Sequence, residues 1–394
     1  MTYTVGAITA PPAARRHALG SVAYADSQGY GLCEITNDRS NFFAYKGASL
    51  YLTSDCVNFT LVHAFPYNIT GVIPLPTGEV MVACQDGSST PGYLYKSSGF
   101  SVSAPTAATF ALKLTSIGGS FLLPYCLSRR SAGADGRVIV SEGGVQTDSS
   151  GVDANNTTKA RRVWLSKDFG ETWAVVWDIF NNAPATPGGN HVHAVALGPG
   201  SELWITIGDN GHALTGTQMQ IVRSNDNGAT WQFLQQSDTP DYPFLQCVAI
   251  RVTAKRVVML PDAPPYGPIT IERNVNGSLG GTMHAGPQFK PSGNSNVVGG
   301  QITQAPGTDG VNPWPIFAGA YVQINDQLSF EKIMASSDDG RSWYEIYTGY
   351  FLAVANLNIQ GPLVSGLVAG NSAYSNDGAW TSGAILKANL VSPT

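Results

Sequence analysis

The chain has few charged residues. Only 12% of its 394 residues are Asp, Glu, Lys or Arg, against roughly 25% in typical soluble domains. The net charge is −5, and no run of Lys and Arg provides the basic surface that neutralises nucleic-acid phosphates. This composition argues against nucleic-acid binding and predicts a neutral, polar surface.

Long apolar runs are missing as well. No stretch approaches the ~20 apolar residues that cross a bilayer, and the start of the chain lacks the pattern of a signal peptide. The five cysteines are widely spaced and form no CxxC pair, which favours free buried thiols over a zinc site. We therefore expect no secretory signal, no membrane insertion, no bound metal and no cofactor.

Turn-forming residues are abundant instead, with 44 Gly and 24 Pro. Hydrophobic residues still make up 43% of the chain, enough for a substantial core. Short apolar segments separated by Gly, Pro, Asn and Ser are typical of many short strands joined by turns. The sequence therefore predicts an all-β protein.

One octapeptide pattern occurs three times, as "SKDFGETW" from Ser166, "SNDNGATW" from Ser224 and "SSDDGRSW" from Ser336. Each copy lies between two short apolar segments, which predicts a β-hairpin turn. In such a turn the Asp accepts backbone hydrogen bonds, the Gly takes a positive φ, and the Trp packs between neighbouring sheets. The predicted structural residues are Asp168, Gly170, Trp173, Asp226, Gly228, Trp231, Asp338, Gly340 and Trp343.

Weaker copies extend the repeat over the chain. They are "YLTSDCVNFTLV" at 51–62, "LYKSSGFSV" at 94–102 and "AYSNDGAW" at 373–380, which includes Asp377; "ITIERNVNGSL" at 269–279 has the hairpin shape without the diagnostic Asp. Seven hairpins spaced by about 40 to 70 residues predict a β-propeller of four-stranded blades. Seven blades are preferred and six are the alternative. We predict one domain over 1–394, with N- and C-terminal strands closing one blade.

The repeated turn resembles the Asp-box, or bacterial neuraminidase repeat, of sialidase-like β-propellers. The order of segments around the first two turns is also similar to sialidase-like repeat proteins of phages and bacteria. This resemblance implies that the turns are peripheral and structural, away from the axial cleft where sugars bind. The early arginines do not match the Arg-Ile-Pro motif of sialidases. Arg162, Arg223 and Arg273 are among the remaining candidates for a carboxylate clamp.

Polar residues at strand ends form the candidate site. If "VIVSE", "HVHAVAL" and "LWITIGD" are inner strands of neighbouring blades, their ends line the central channel. Three carboxylates are candidate catalytic or ligand-binding groups, and hydrolysis would require two of them to flank a glycosidic bond. Two histidines are candidate ligand contacts, and two aromatic residues are candidates for stacking on sugars. These residues are Glu142, Asp209, Asp262, His191, His193, Trp204 and Tyr266.

Two functions remain open. The first is a non-catalytic recognition or structural protein, a phage virion component of a tail, fibre or baseplate that contacts host glycans, a cell-surface receptor or other virion proteins. The second is a glycoside hydrolase, a sialidase-like exo-glycosidase acting at the axial cleft. The sequence favours the first, because the sialidase motif is not matched. A virion localisation follows from it as an expectation, and a homo-oligomeric state is left open.

Overall fold

A computed structural model shows an all-β protein. Its described residues contain 31 strands and a single turn of 3₁₀-helix at Pro105–Ala107. The structure describes residues 4–5, 18–19, 23–26, 30–85, 91–117, 120–121, 130–143, 162–178, 191–208, 219–237, 247–261, 267–273, 279–285, 296–304, 316–325, 328–350, 357–361, 363–372 and 384–391.

The strands form seven sheets. The chain begins with β1 (Thr4–Val5), β2 (Ala18–Leu19) and β3 (Ala23–Asp26). Sheet 1 contains β4 (Gly31–Ile35), β5 (Phe42–Lys46), β6 (Ser49–Thr53) and β7 (Thr60–Ala64); sheet 2 contains β8 (Asn68–Pro74), β9 (Val80–Gln85), β10 (Gly92–Ser98) and β11 (Thr109–Thr115). Sheet 3 contains β12 (Ser120–Phe121), β13 (Arg130–Ala132), β14 (Val138–Gly143), β15 (Arg162–Ser166) and β16 (Ala174–Asp178).

The later sheets follow the same order along the chain. Sheet 4 contains β17 (His191–Leu197), β18 (Leu203–Gly208), β19 (Met219–Ser224) and β20 (Gln232–Ser237); sheet 5 contains β21 (Cys247–Val252), β22 (Arg256–Pro261), β23 (Ile269–Arg273) and β24 (Leu279–Ala285). Sheet 6 contains β25 (Asn296–Gln304), β26 (Ile316–Asn325), β27 (Leu328–Ser336) and β28 (Tyr344–Tyr350); sheet 7 contains β29 (Leu357–Gln360), β30 (Leu367–Ser372) and β31 (Ala384–Val391).

Contacts between the sheets arrange them as a propeller. β4 contacts β8, β8 contacts β12 and β13, and the chain of contacts continues through β17, β21, β25 and β29. β29 contacts β4 in turn, so the seven described sheets form a closed ring. Seven blades stay the number that we expect for the whole chain.

N-terminal strands complete two of these sheets. β3 pairs antiparallel with β31, and β2 pairs with the other end of the same strand. Sheet 7 therefore takes its outermost strand from the start of the chain. β1 pairs in parallel with β24 and adds a fifth strand to sheet 5.

The antiparallel order of each sheet gives the ring two distinct faces. The turns that join the first strand of a sheet to the second, and the third to the fourth, lie on one face of the ring. We call it the turn face, because it carries the repeated turns at 166–173, 224–231 and 336–343. The opposite face, which we call the loop face, is where first strands begin and second strands end. Four second strands end there at Gln85, Gly143, Gly208 and Pro261.

Side-chain hydrogen bonds hold each repeated turn together. Asp168 Oδ1 accepts the N–H groups of Glu171 and Thr172 at 3.0 and 2.9 Å, and its Oδ2 accepts Thr172 Oγ1 at 2.5 Å. Ser166 Oγ accepts the Gly170 N–H at 2.8 Å, and Gly170 has a φ of 86°, a region that favours glycine. Asp226 and Asp338 make the corresponding bonds in the other two turns.

Each repeated turn also packs on the preceding sheet. A Cβ placed on Gly228 of sheet 4 would lie 2.7 Å from Val176 Cβ of sheet 3, so only a glycine permits this approach. Trp231 Nε1 donates to the Val176 carbonyl at 3.1 Å, and the Trp231 ring meets Trp177 edge-on with centroids 5.0 Å apart. The two other glycines approach the preceding sheet in the same way, Gly170 at Met81 and Gly340 at Val258.

The position of the turns shows that the prediction of a repeated turn at 373–380 is wrong. Six of the seven predicted hairpins join the third and fourth strands of their sheets. The segment 373–380 instead connects β30 to β31, the second and third strands of sheet 7. Asp377 lies outside the described residues, and its segment is not at the position of a repeated turn. The reason is that the fourth strand of sheet 7 comes from the N-terminal part of the chain.

The repeated turns make stability sensitive to acid. Burial raises the pKa of Asp168, but hydrogen bonds from Thr172 and Ser166 outweigh it and lower the pKa to about 2. For Asp226, hydrogen bonds from Thr230 lower the pKa to about 2. An unfolded Asp titrates near ~3.9, so the unfolded state takes up protons first as the pH falls. This stabilisation is therefore complete above pH ~4 and is lost between about pH 4 and pH 2.

We predict that the free energy of unfolding falls more steeply over this pH range in the wild type than in Asp168→Asn. Urea unfolding at several pH values between 7 and about 2.5 measures both slopes. Equal slopes in the two proteins would show that Asp168 does not contribute in this way.

Candidate functional site

The structure places the ends of the predicted strands on the loop face. β17 is the first strand of sheet 4, as expected for an inner strand. β14 and β18 are second strands, so the expectation that "VIVSE" and "LWITIGD" are inner strands is wrong. Their C-terminal ends nevertheless reach the same face as the start of β17, because His191 pairs with Gly208 across the two strands.

Glu142 is sealed inside the protein. Its residue exposure is 0%, although the sequence suggested a carboxylate open to ligand. Glu142 Oε1 accepts the Ile117 N–H and Trp164 Nε1, each at 3.1 Å, and Oε2 lies 3.2 Å from Arg162 Nη1. Burial raises the pKa of Glu142, and these hydrogen bonds oppose the rise. Glu142 therefore connects sheet 3 to the segment that follows sheet 2, and its geometry argues against direct ligand contact.

Arg162 connects Glu142 to a second carboxylate, Asp178, which is nearer the surface. Arg162 Nε lies 3.4 Å from Asp178 Oδ2, and the Asp178 side chain is 10% exposed. Arg162 thus bridges two acidic groups of its own sheet. This pairing commits the Arg162 guanidinium to an internal ion pair, so it does not fit the role of a sialidase-like clamp on a ligand carboxylate.

The histidine pair does not follow regular strand alternation. The register of β17 on β18 shifts between Val192 and Ala194, which makes His193 the extra residue of a β-bulge. His193 is only 2% exposed, so its side chain belongs to the interior rather than to the ligand-facing surface that we expected. The side chain of His191 lies outside the described residues.

Three other candidates also fall outside the described residues: Asp209, Asp262 and Tyr266. Their neighbours in the chain are described, since Gly208 ends β18 and Pro261 ends β22. Both strand ends are on the loop face. The proximity of Asp209 and Asp262 to the start of β17 stays a prediction.

Trp204 is at the other face and is fully buried, with an exposure of 0%. Its Nε1 donates to Glu202 Oε2 at 3.3 Å, and the Arg223 guanidinium lies 5.5 Å from its ring centroid. A buried ring in an ionic network has no free face for a sugar. The expectation that Trp204 stacks on a ligand is therefore not supported by its position.

Glu202 is the centre of a buried network that the sequence did not reveal. Its carboxylate meets Arg223 Nη2 at 2.6 Å and Arg273 Nη1 at 2.5 Å. Arg137 donates to the Glu202 carbonyl at 3.0 Å. Arginines from sheets 3, 4 and 5 thus converge on an internal acidic residue at the turn face, and Arg223 and Arg273 clamp a carboxylate of this chain rather than a ligand.

A stacked tyrosine pair is the other feature that sequence patterns missed. The Tyr67 and Tyr93 rings are 4.7 Å apart at their centroids and nearly parallel, at 12°. Both rings are partly exposed at the loop face, one before β8 and one at the start of β10. Asn68 follows Tyr67 in the chain and is exposed, whereas its strand partner Gln85 is buried.

Within the described ranges, no group of three or more His, Cys, Asp and Glu side chains is placed to hold a metal ion. The same part of the chain contains no helix with the length and apolar character required to span a membrane.

No protein-family model and no curated protein matches the chain. Solved structures do match. A chain of the mitotic checkpoint complex has a TM-score of 0.51 and 10% identity, covering 99% of this chain and 98% of that one. A GH74 enzyme of Niastella koreensis has a TM-score of 0.49 and 14% identity, covering 83% of this chain and 46% of that one. The match thus covers less than half of the length of the GH74 enzyme.

A PL25 ulvan lyase bound to -[GlcA(1-4)Rha3S]- has a TM-score of 0.47 and 10% identity, covering 95% of this chain and 96% of that one. Sequence identities of 10 to 14% with solved structures bear only on the fold. The sheet order and the ring of contacts, together with the similarity at a TM-score of 0.51 to the chain of the mitotic checkpoint complex, define the chain as an all-β propeller.

Proposed function

We propose that this chain is a non-catalytic glycan-recognition propeller that binds sugars on its loop face. The observation that carries the proposal is the stacked, partly exposed pair of Tyr67 and Tyr93, with the exposed Asn68 next to Tyr67 in the chain. Aromatic rings pack against the apolar faces of sugars, and amides both donate to and accept from sugar hydroxyls. This combination lies on the face where the strand ends converge, opposite the repeated turns.

The burial of Glu142 favours recognition over hydrolysis as the function. Glycoside hydrolysis requires two carboxyl groups that flank the scissile bond. Glu142 was the leading carboxylate in the sequence, and its oxygens are occupied by Ile117, Trp164 and Arg162 in the interior. The hydrolase alternative therefore depends on Asp209 and Asp262.

We place this recognition function in a phage virion, as part of a tail, fibre or baseplate that contacts host glycans or other virion proteins. The support is the similarity of the repeated turn and its surrounding segments to Asp-box, sialidase-like repeat proteins of phages and bacteria. The low content of charged residues, 12%, is in keeping with a surface that packs in a larger assembly.

Glycan-array binding by the full-length protein tests the proposal. We predict that Tyr93→Ala weakens binding to the best glycan by about tenfold, or ~1.4 kcal/mol, because the variant removes one ring of the stacked pair. Tyr344→Ala is the matched control, since Tyr344 is a partly buried tyrosine that follows the repeated turn of sheet 6. Its binding should equal that of the wild type.

A reducing-sugar assay on the bound glycans separates recognition from hydrolysis. Binding without release of sugar supports the recognition function. Sugar release that disappears in Asp209→Asn or Asp262→Asn would overturn it in favour of the hydrolase. Equal binding by Tyr93→Ala and the wild type would show that the tyrosine pair is not the recognition surface.

A further inference from the structure

A pocket of about 220 Å³ opens between sheets 1 and 2 on the turn face. It lies opposite the proposed glycan surface and involves none of the residues discussed there. Three turns form it: the one after β4, the one after β8 and the one after β10. The residues that matter for its chemistry are Asn37, Asp38, Pro74, Glu79, Phe100 and Val102.

The pocket exists because the turn after β10 is a degenerate copy of the repeat. In the complete copies, a glycine presses against the preceding sheet, as Gly228 does against Val176. Gly99 has a comparable φ of 70°, yet a Cβ placed on it would meet nothing within 4 Å. Phe100 follows Gly99 directly and packs beside Phe43, with ring centroids 5.5 Å apart, whereas the tryptophan of a complete copy comes three positions after the glycine. The backbone at Gly99 thus leaves open space beside it, whereas the glycine of a complete copy contacts the preceding sheet.

The polar part of the lining accepts hydrogen bonds and is acidic. Its charged residues are Asp38 and Glu79. Asp38 is fixed by hydrogen bonds from Thr36 Oγ1 at 2.5 Å and Ser40 Oγ at 2.8 Å; burial raises the pKa of Asp38, but these bonds outweigh it and lower the pKa. Glu79 lies 3.2 Å from Lys96 Nζ and keeps its side chain 29% exposed. Asn37 uses its amide nitrogen to donate to the Leu75 carbonyl, so its Oδ1 adds a further acceptor.

The other wall of the pocket is apolar and is formed by Pro74, Phe100 and Val102. An apolar wall beside carboxylates matches a side chain with an aliphatic stem and a cationic head. The Phe100 ring adds a face for a cation–π contact. A neutral sugar would satisfy the wall but would bring no positive charge to the two carboxylates, of which Glu79 already pairs with Lys96.

We propose that this pocket binds a single basic side chain, a lysine or arginine, presented by a partner protein. The stem packs on Phe100 and Val102, and the cationic head is held by Asp38 and Glu79. The site gives the turn face a role in protein assembly that is independent of sugar binding on the loop face.

Saturation-transfer NMR with the full-length protein tests this site. The probes are Nα-acetyl-lysine amide, Nα-acetyl-arginine amide, the uncharged analogue Nα-acetyl-norleucine amide, and methyl α-glucoside. We expect saturable binding of the two basic probes, at least about tenfold tighter than that of norleucine amide. Asp38→Asn should weaken basic-probe binding by about tenfold.

Two variants separate site occupancy from general charge. Val102→Trp fills the pocket while keeping both acids, and it should abolish saturable binding. Glu272→Gln removes an equal charge from an exposed side chain of sheet 5 and should leave binding unchanged. Binding that survives Val102→Trp, equal binding of norleucine amide, preference for methyl α-glucoside, or no saturable binding of either basic probe would each overturn the proposal.

Discussion

Glu202→Gln should destabilise the protein by about 3–5 kcal/mol, the cost of breaking a buried ion pair from one side. Glu202 is 4% exposed, and its carboxylate is shared by Arg223 and Arg273. The amide is close to the carboxylate in size, so the variant removes charge with little change in packing. Two guanidinium groups then remain in the interior without the carboxylate that compensates them.

Urea unfolding of the variant and the wild type measures this effect. Glu272→Gln is the control, because Glu272 pairs with Arg256 at 3.6 Å while its side chain is 45% exposed. Exposed pairs contribute roughly 0–1 kcal/mol, so the control should stay within that range. A loss of less than ~1 kcal/mol for Glu202→Gln would mean that the network does not hold sheets 3, 4 and 5 together.

Gly228→Ala should cost about 2–5 kcal/mol, the sum of a left-handed backbone penalty and overpacking. Gly228 has a φ of 89°, and a Cβ there would lie 2.7 Å from Val176 Cβ. The added methyl group therefore pushes the turn of sheet 4 away from sheet 3. The hydrogen bond from Trp231 Nε1 to the Val176 carbonyl would lengthen with it.

Gly200→Ala supplies the matched control in the same sheet. Gly200 has a φ of 64°, and a Cβ there would meet nothing within 4 Å. This variant should carry only the backbone penalty, about 1–2 kcal/mol. Adding Val176→Ala to Gly228→Ala should recover part of the loss. Equal effects of Gly228→Ala and Gly200→Ala in urea unfolding would contradict the contact between the turn and the neighbouring sheet.

The repeated turns explain why the fold could be predicted from the sequence. Ser166, Asp168 and Gly170 bond within one octapeptide, so their spacing alone reveals the turn. The same local pattern wrongly predicted a repeated turn at 373–380, because the identity of the fourth strand in sheet 7 depends on where the N-terminal strands pair. No local pattern carries that information.

The candidate site was harder to predict from the sequence, because its contacts join residues that are far apart in the chain. Glu142 looked available at a strand end, yet Ile117 and Trp164 come from 25 and 22 positions away to occupy it. Glu202 and Arg273 are 71 positions apart. Tyr67 and Tyr93 become neighbours only when β8 and β10 flank β9, and one-dimensional spacing does not display that arrangement.

The most direct test compares the binding of two variants to one glycan. It asks whether the turn face stabilises the propeller while the loop face recognises glycans. The dissociation constant of the best array ligand is measured for the wild type, Asp168→Ala and Tyr93→Ala, each at a temperature where it is folded. We predict that Asp168→Ala unfolds at lower urea concentration and binds like the wild type, whereas Tyr93→Ala loses about tenfold in affinity. Loss of binding in folded Asp168→Ala, with full binding in Tyr93→Ala, would contradict the separation of the two faces.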